Sequence, residues 1–257
     1  MRNILAIANK ELRSYFAGPI AYIAVGLWAL MYGFFFVAIL QYFVRQSMQM
    51  GAMGMGGPAS VNINQMLIRP LLQNVTIVML FTLPMVTMRT YSEEKRSGTI
   101  ELLLTSPLSD WQIILGKFLG AMGLFGVMLL VTLPHIGVLF WYGNPEWKPL
   151  LTAYLGLLLM GGCFVSLGLF ISSLTKNQIV AGMITFAVFL LLWIITWIGS
   201  FLGPTGDSLT QYVSIIEHLD DFSKGVVDTK HLIYYLSFIT FGLFLTARSV
   251  DTERWRG

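Results

Sequence analysis

Long stretches without charged side chains alternate with short charged segments along this chain. Six windows contain no Asp, Glu, Lys or Arg: Gly18–Val44, Pro70–Met88, Phe118–Tyr142, Leu150–Ile171, Ile179–Gly203 and Leu232–Ala247. A membrane-spanning helix needs about 20 apolar residues, whereas the strands of a membrane barrel alternate over about ten. The pattern predicts an all-α polytopic membrane protein with six transmembrane helices, at about 18–44, 70–88, 118–142, 150–171, 179–203 and 231–249.

The segments outside these spans also carry helical patterns. Residues 1–17 alternate apolar and charged positions as an amphipathic helix lying in the membrane interface would. Its apolar face is Ile4, Leu5, Ala8, Leu12, Tyr15 and Phe16, and its polar face is Lys10, Glu11 and Arg13. Between spans five and six, a second pattern predicts one short helix packed on the outer membrane surface. Its apolar residues share one helical face and are Tyr212, Ile215, Ile216, Leu219 and Phe222. The loop Arg45–Arg69 is rich in Gly and Met.

Composition and charge agree with a membrane class. The chain is 56% hydrophobic and 11% charged, whereas soluble domains carry about 25% charged residues. The side that holds both termini carries 11 Lys and Arg residues and the other side carries 5, so the positive-inside rule places both termini in the bacterial cytoplasm. The net charge of +3 reflects this topology and does not indicate nucleic-acid binding. The lone Cys163 excludes a disulfide framework.

The segment 89–117, between spans two and three, is charged and amphipathic. Glu93, Glu94, Lys95 and Arg96 extend the second helix into water, and Gly98 permits a break. A leucine-rich cluster with Ile100 then follows, Glu101 faces away from it, and Ser109 or Asp110 caps the next helix. Two interpretations remain open. The apolar cluster docks a partner protein, or an ordinary loop inserts its leucines among lipid headgroups.

The run YSEEKRSGTIELLLTSPLSDWQIILGK resembles the cytoplasmic loop of ABC-2 type permeases, the membrane subunits of ABC transporters. ANKELRSYFAGPIAYI and SSLTKNQIVAGMITF resemble other parts of that family, and the C-terminal region resembles the branch linked to gliding motility and nitrous-oxide-reductase maturation. The resemblance implies one transmembrane domain over 1–257 and a coupling helix near Ser92–Thr105 that docks on an ATPase. The docking residues it implies are Glu93, Glu94, Arg96, Gly98, Ile100, Glu101, Leu103 and Leu104.

The resemblance also implies partners and a reaction cycle. Two ATP-binding subunits supply ATP and Mg, a second copy or paralogue completes the permease, and an accessory extracytoplasmic protein is a further candidate. The chain itself lacks G-x-x-x-x-G-K-[ST], so we expect no enzyme activity from it alone and no cofactor bound by it. The expected function is ATP-driven export by alternating access. The alternatives are a membrane scaffold that recruits a soluble partner and an ion-coupled transporter, which the scarcity of charges within the spans disfavours.

By resemblance, spans two and five line the pathway. The candidate pathway residues are Asn74, Thr82, Phe189 and Trp193. A mostly apolar lining favours an amphipathic or lipid-like cargo over a bare ion. The alternative is that the hydroxyl groups only bond to the preceding turn of their own helices.

Four further groups of residues suggest metal binding, a functional histidine or close helix packing. Thioethers are soft ligands that suit Cu(I), and the weak candidates are Met48, Met50, Met53 and Met55, with an apolar loop as the alternative. Glu217, His218, Asp220 and Asp221 form either a metal site or a solvated helix face. His135 is either a functional group within its span or a histidine bonded across helices at the Pro134 kink. Small residues of span four predict close packing against other helices of the subunit.

Overall fold

A computed structural model describes residues 2–52, 62–104, 107–201 and 203–254, and the regular elements in those ranges are helices. They are α1 (Arg2–Ala17), α2 (Pro19–Ala52), α3 (Arg69–Thr87), α4 (Ser92–Ser97), α5 (Thr99–Leu104), α6 (Asp110–Tyr142), α7 (Trp147–Leu174), α8 (Gln178–Phe201), α9 (Gly203–Val213), α10 (Glu217–Ser223) and α11 (Thr229–Arg254). A π-helical turn, Asn64–Ile68, precedes α3. In the described ranges, six helices are long and apolar enough to cross a membrane, which confirms the predicted all-α polytopic architecture.

The third span shows how the bundle fits a bilayer. Helix α6 has 33 residues, which corresponds to about 50 Å at the usual helical rise. Trp111 near its start and Trp141 and Tyr142 at its end are exposed, and aromatic residues favour the two membrane interfaces. The separation of Trp111 from Trp141 corresponds to about 45 Å, which matches the full thickness of a bilayer with its headgroups.

The first span is longer than the apolar window that predicted it. Arg45 was expected to begin a loop, but α2 continues to Ala52, so the expected start of that loop is wrong. A charged residue ends an apolar window without ending a helix, and the Arg, Gln and Met residues after position 44 are good helix formers in water. Met48 and Met50 therefore lie on α2, whereas Met53 and Met55 lie outside the described residues.

Helix α7 lies at the centre of the subunit and is closely approached by four other helices. Its small residues leave room for larger side chains of each neighbour, which confirms the prediction made from the glycines of span four. Gly156 faces Leu219 and Phe222 of α10, Gly161 faces Phe125 of α6, Gly162 faces Ile239 of α11, and Gly168 faces Thr87 of α3.

The N-terminal helix α1 packs alongside the first half of α6. The side chain of Ile7 lies against Gly116 and that of Glu11 against Gly120, and Asn3 Nδ2 donates to Gln112 Oε1 at 3.5 Å. The two helices therefore run in parallel. Glu11 lies on the buried face of α1 and not on the expected polar face, because it has an ion-pair partner there. The position of α1 in the membrane interface stays a prediction.

Two helices, α9 and α10, occupy the segment expected to form one. A break at 214–216 separates them, so the expected continuous apolar face does not form. Ile215, Leu219 and Phe222 are buried as expected, but Tyr212 belongs to α9 and is exposed. Helix α10 lies at the end of the bundle opposite the described chain ends. We call the end of the bundle that carries α10 the opposite face, and the end that carries the described chain ends the terminal face.

Candidate partner-docking site

The segment between α3 and α6 forms two short helices on the terminal face. Helix α4 ends at Gly98, whose φ of 73° lies in the left-handed region that favours glycine, so the predicted break is confirmed. Helix α6 then begins after Ser109, whose side chain accepts from the backbone N–H of Gln112 while the Gln112 side chain accepts from the Ser109 N–H. This reciprocal capping confirms the predicted start signal.

A single serine of α7 holds the turn that leads into α4. The Ser172 hydroxyl accepts from the backbone N–H groups of Tyr91 and Ser92 at 3.1 Å each and donates to the Met88 carbonyl at 2.9 Å. From the other side, the Tyr15 hydroxyl donates to the Val86 carbonyl at 3.2 Å. Buried hydrogen bonds therefore fix the turn before α4 to α7 and the end of α3 to α1.

A buried lysine at the start of span three joins α4, α1 and α6. The side chain of Lys117 is 1% exposed, and its Nζ lies 2.8 Å from Glu94 Oε1 and 3.1 Å from Glu11 Oε1. It also donates to the Thr90 carbonyl at 2.9 Å and lies 5.0 Å from the centre of the Tyr91 ring. We call these five residues the Lys117 cluster.

The two carboxylates of this cluster are compensated by two lysines. Lys117 lies between Glu11 and Glu94, and the exposed Lys10, just outside the cluster, lies 3.6 Å from Glu11 and 3.8 Å from Glu94. Taking an ion out of water costs several kcal/mol unless a partner and hydrogen bonds replace the water. An ion pair also joins Lys95 of α4 to Glu253 of α11 at 2.6 Å. Helix α4 is therefore tied by charge to α1, α6 and α11.

The structure divides the predicted docking residues into two groups. Arg96, Gly98 and Glu101 are exposed on the terminal face, whereas Glu94 belongs to the Lys117 cluster and contacts Lys117. Glu93 pairs with Arg89 at 2.7 Å.

Ile100 is 8% exposed and belongs to the apolar core of the subunit, contrary to the expectation of an outward apolar cluster. Leu103 and Leu104 lie on α5, and their side chains are outside the described part of the structure. The docking role of all these residues stays a prediction.

Sequence reasoning missed the residues that attach the segment. Lys117 was interpreted only as the boundary of a span, and Glu253 received no role. Lys95 was expected to extend a helix into water but is 6% exposed. The available signal was a lysine directly followed by an apolar span, because a charge in that position needs a partner. Nothing in the sequence named Glu11 as that partner, since it is 106 positions away.

The predicted pathway residues lie mostly inside the subunit. Thr82 and Phe189 are fully buried, Asn74 and Trp193 are half-buried, and Phe189 stacks on Phe164 with ring centres 4.3 Å apart. Thr82 Oγ1 donates to the Val78 carbonyl and Asn74 Nδ2 to the Pro70 carbonyl. The alternative, bonding to the preceding helical turn, therefore describes both polar side chains.

The hypotheses about metals have little support from the geometry. Within the described residues, no three His, Cys, Asp or Glu side chains are grouped so that they could hold a metal ion. Met48 is exposed near the end of α2, and the other half of the predicted methionine array, Met53 and Met55, cannot be placed beside it.

Six candidate spans with a firmly attached segment between the second and the third characterise a multi-pass membrane protein. The chain belongs to the ABC-2 family of transporter proteins, whose family model matches residues 5–245. Members of this family are membrane permease subunits and not the ATPase. The predicted resemblance is thereby confirmed at the level of the family, and the narrower branch stays a prediction.

Two curated relatives support the same class. The proteins described as probable multidrug ABC transporter permease YbhR, from Escherichia coli strain K12 and from Escherichia coli O157:H7, are each 29% identical to this chain over 150 residues. Each match covers 55% of this chain and 38% of the relative. The chain therefore spans well under half of the length of the curated relatives that it matches.

Proposed function

We propose that this chain is the permease subunit of an ATP-driven exporter in the bacterial cytoplasmic membrane, with both termini in the cytoplasm. Two ATP-binding subunits dock on the terminal face and supply ATP and Mg, and a second permease subunit completes the pathway. The observation that carries this proposal is the attachment of α4 to the bundle through the Lys117 cluster. A loop that served only as a connection would not need a buried lysine with two carboxylate partners.

The contacts of α4 define a route for force. A push on the exposed side of α4 reaches α6 and α1 through Glu94 and Lys117, and it reaches α11 through Lys95 and Glu253. The hydrogen bonds of Ser172 carry it to α7. Because packed interiors are bistable and not continuously deformable, this displacement switches the bundle between two arrangements. Alternating access then exposes the pathway to each side of the membrane in turn.

The cargo that fits this proposal is amphipathic. Spans two and five present few hydrogen-bonding groups, and the threonine hydroxyls that the structure describes there are already bonded within their own helices. A bare ion needs a dense shell of polar ligands, which these helices lack in the described positions. The word multidrug in the name of the E. coli relatives agrees with this cargo class.

The decisive experiment is ATP hydrolysis by the reconstituted complex. The permease is co-purified with its cognate ATP-binding subunit, placed in liposomes, and assayed with amphipathic compounds and with simple salts as the control. We expect an amphipathic compound to stimulate hydrolysis and to accumulate in inverted vesicles. A complex that hydrolyses ATP at one constant rate and moves nothing would favour the membrane scaffold.

The docking surface gives a first prediction. Arg96 lies in the last turn of α4 and is exposed, so Arg96→Glu should weaken co-purification of the ATP-binding subunit at least tenfold, a loss of about 1.4 kcal/mol. The matched control is Arg13→Glu, which makes the same charge change on the exposed side of α1. Equal binding by both variants would remove α4 from the interface.

Cysteine labelling tests the pathway. In a Cys163→Ala background, cysteines at Thr82 and Phe189 should be unreactive towards polar maleimides without nucleotide, because both positions are fully buried. The half-buried Asn74 position should react slowly. Addition of ATP to the complex should raise the reactivity at all three positions if the spans separate around the cargo. Reactivity that ignores nucleotide at every position would exclude these residues from the pathway.

A further inference from the structure

Two buried histidines face each other on the opposite face of the bundle. His218 lies on α10 and His231 lies in the first turns of α11, and they are 7% and 6% exposed. They line a cavity of about 920 Å³ together with Tyr212, Tyr234, Asp221 and Lys230. Sequence reasoning assigned His218 to a metal site or a solvated face, and the structure shows neither among the described residues.

The ring nitrogens of the two histidines form one chain of hydrogen bonds. His218 Nδ1 and His231 Nδ1 are 2.6 Å apart. The outer nitrogens have acceptors as partners, since His218 Nε2 lies 3.1 Å from the Tyr212 carbonyl and His231 Nε2 lies 2.8 Å from Asp221 Oδ2. A carbonyl and a carboxylate can only accept, so both outer nitrogens must carry hydrogen.

This arrangement fixes the number of protons. One hydrogen on each outer nitrogen and one shared between the two Nδ1 atoms makes three, whereas two neutral imidazoles carry two. A pair in which all three hydrogen bonds exist at once therefore holds one extra proton and one positive charge. Asp221 compensates that charge, and its hydrogen bond from His231 lowers the pKa of the carboxyl below its ordinary value of 3.8.

Charged groups surround the pair from each described element that packs against it. On α10 and just beyond it, Asp220 pairs with Lys224, and Lys224 also reaches Asp221. On α3, Arg69 pairs with Asp220. Before and within the start of α11, Lys230 pairs with Asp228 at 3.3 Å.

Most of these neighbouring charges are already paired with one another. Glu217 also lines the cavity, and the rings of Tyr234 and Tyr235 pack against His218. The carboxylate in direct contact with the histidine pair is Asp221.

We propose that His218 and His231 form a proton-binding site that takes up one proton and thereby fastens α10 to α11. With one proton, all three hydrogen bonds of the chain exist. With two, both Nδ1 atoms carry hydrogen and repel each other. With none, two hydrogens serve three contacts, so the bond between the rings, the bond to Asp221 or the bond to the Tyr212 carbonyl is lost. The site holds α10 over the cavity in the singly protonated state and releases it on either side of that state.

The burial of His218 explains why acid should loosen the contact between α10 and α11. Burial lowers the pKa of His218 below its ordinary value of 6.5. The folded protein therefore binds a proton at His218 less readily than the unfolded chain does. On the acid side, the contribution of His218 to stability is lost as the pH falls below 6.5. On the alkaline side, the loss of the shared proton removes one hydrogen bond of the chain. Acidification on the opposite face should therefore loosen α10 while the ion pairs of the terminal face stay intact.

Nitrogen NMR of the full chain in detergent tests the proton count directly. The chain has three histidines, so a sample labelled with ¹⁵N-histidine gives few signals, and His135→Asn assigns the third. At about pH 7 we expect one ring with hydrogen on both nitrogens, one with hydrogen on Nε2 alone, and a coupling between the two Nδ1 atoms. Two neutral rings, or two rings that titrate independently, would overturn the site.

Thermal unfolding provides the second measurement. On acidification from about pH 7 to pH 5, we expect the Tm to fall by about 2–4 °C. His218→Gln keeps a hydrogen-bond donor and acceptor but cannot titrate, so this part of the acid response should vanish. His135→Asn should retain it. An unchanged acid response in His218→Gln would refute the proposed proton-binding site. If that variant does not fold, the NMR result on the unaltered sequence decides alone.

Discussion

Replacement of Lys117 by methionine should destabilise the subunit more than any other single charge removal on the terminal face. Methionine keeps roughly the length of the side chain but removes the buried cation between Glu11 and Glu94, which then have only the exposed Lys10 as a described partner cation. Removal of one partner from a buried ion pair typically costs about 3–5 kcal/mol, and at about 2–4 °C per kcal/mol the Tm in detergent should fall by roughly 10 °C. Thermal unfolding followed by tryptophan fluorescence measures this change.

Two further variants separate charge from packing. Lys10→Met removes a lysine that touches the same carboxylates but is 65% exposed, and exposed ion pairs contribute about 0–1 kcal/mol. Adding Glu11→Gln and Glu94→Gln to Lys117→Met removes the unpaired charges and should recover part of the lost stability. A Lys117→Met protein as stable as Lys10→Met would contradict the importance assigned to the cluster. A recovered triple variant whose complex with the ATP-binding subunits hydrolyses ATP without transport would support the proposed force route.

Replacement of Gly161 by alanine should lower the stability of the subunit, second in effect only to the loss of Lys117. A Cβ at this position would overlap the ring of Phe125, which is fully buried in α6. Overpacking of a core costs typically about 1–3 kcal/mol, which outweighs the helix propensity of about 1 kcal/mol that alanine gains over glycine. Gly161→Ala should therefore lower the Tm in the same assay.

The matched control for this change lies on α6. A Cβ at Gly137 would meet no atom within 4 Å, so Gly137→Ala gains propensity without a clash and should leave the Tm unchanged or raise it. Equal responses of the two variants would mean that α6 and α7 do not pack as closely as Gly161 and Phe125 indicate. The comparison needs no partner protein, so it tests the fold independently of the proposed function.

The spans and several local signals were predictable because each depends on neighbouring residues. Charge-free windows gave the six spans since lipid excludes unpaired charge, Gly98 marked a break, and Ser109 marked a helix start. The end of α2 was not predictable from its window, because Arg45 leaves the lipid while the helix continues to Ala52. Local patterns therefore describe where lipid begins more reliably than where helices end.

The attachment of the docking segment was not predictable because it depends on long-range packing. Amphipathicity marked Ile100 as apolar but could not tell whether a partner or the same subunit covers it, and the subunit does. Likewise, Glu11 was assigned to water because glutamate usually is exposed. Its burial is understandable only once Lys117 lies opposite to it. A sequence pattern shows which residues favour burial, but it does not show which residues or which partner bury them.

The distance in sequence between Glu11 and Lys117 sets an order of assembly. A growing chain is made from its N-terminus, and Glu11 is made 106 residues before Lys117. Until then its carboxylate lacks Lys117 and the α6 surface that buries it, so α1 cannot take its docked position while the first two spans insert. It docks on α6 when the third span arrives, and Glu253 closes on Lys95 only at the end. We therefore expect a chain truncated before the third span to leave α1 undocked, which limited proteolysis of the truncated chain would detect.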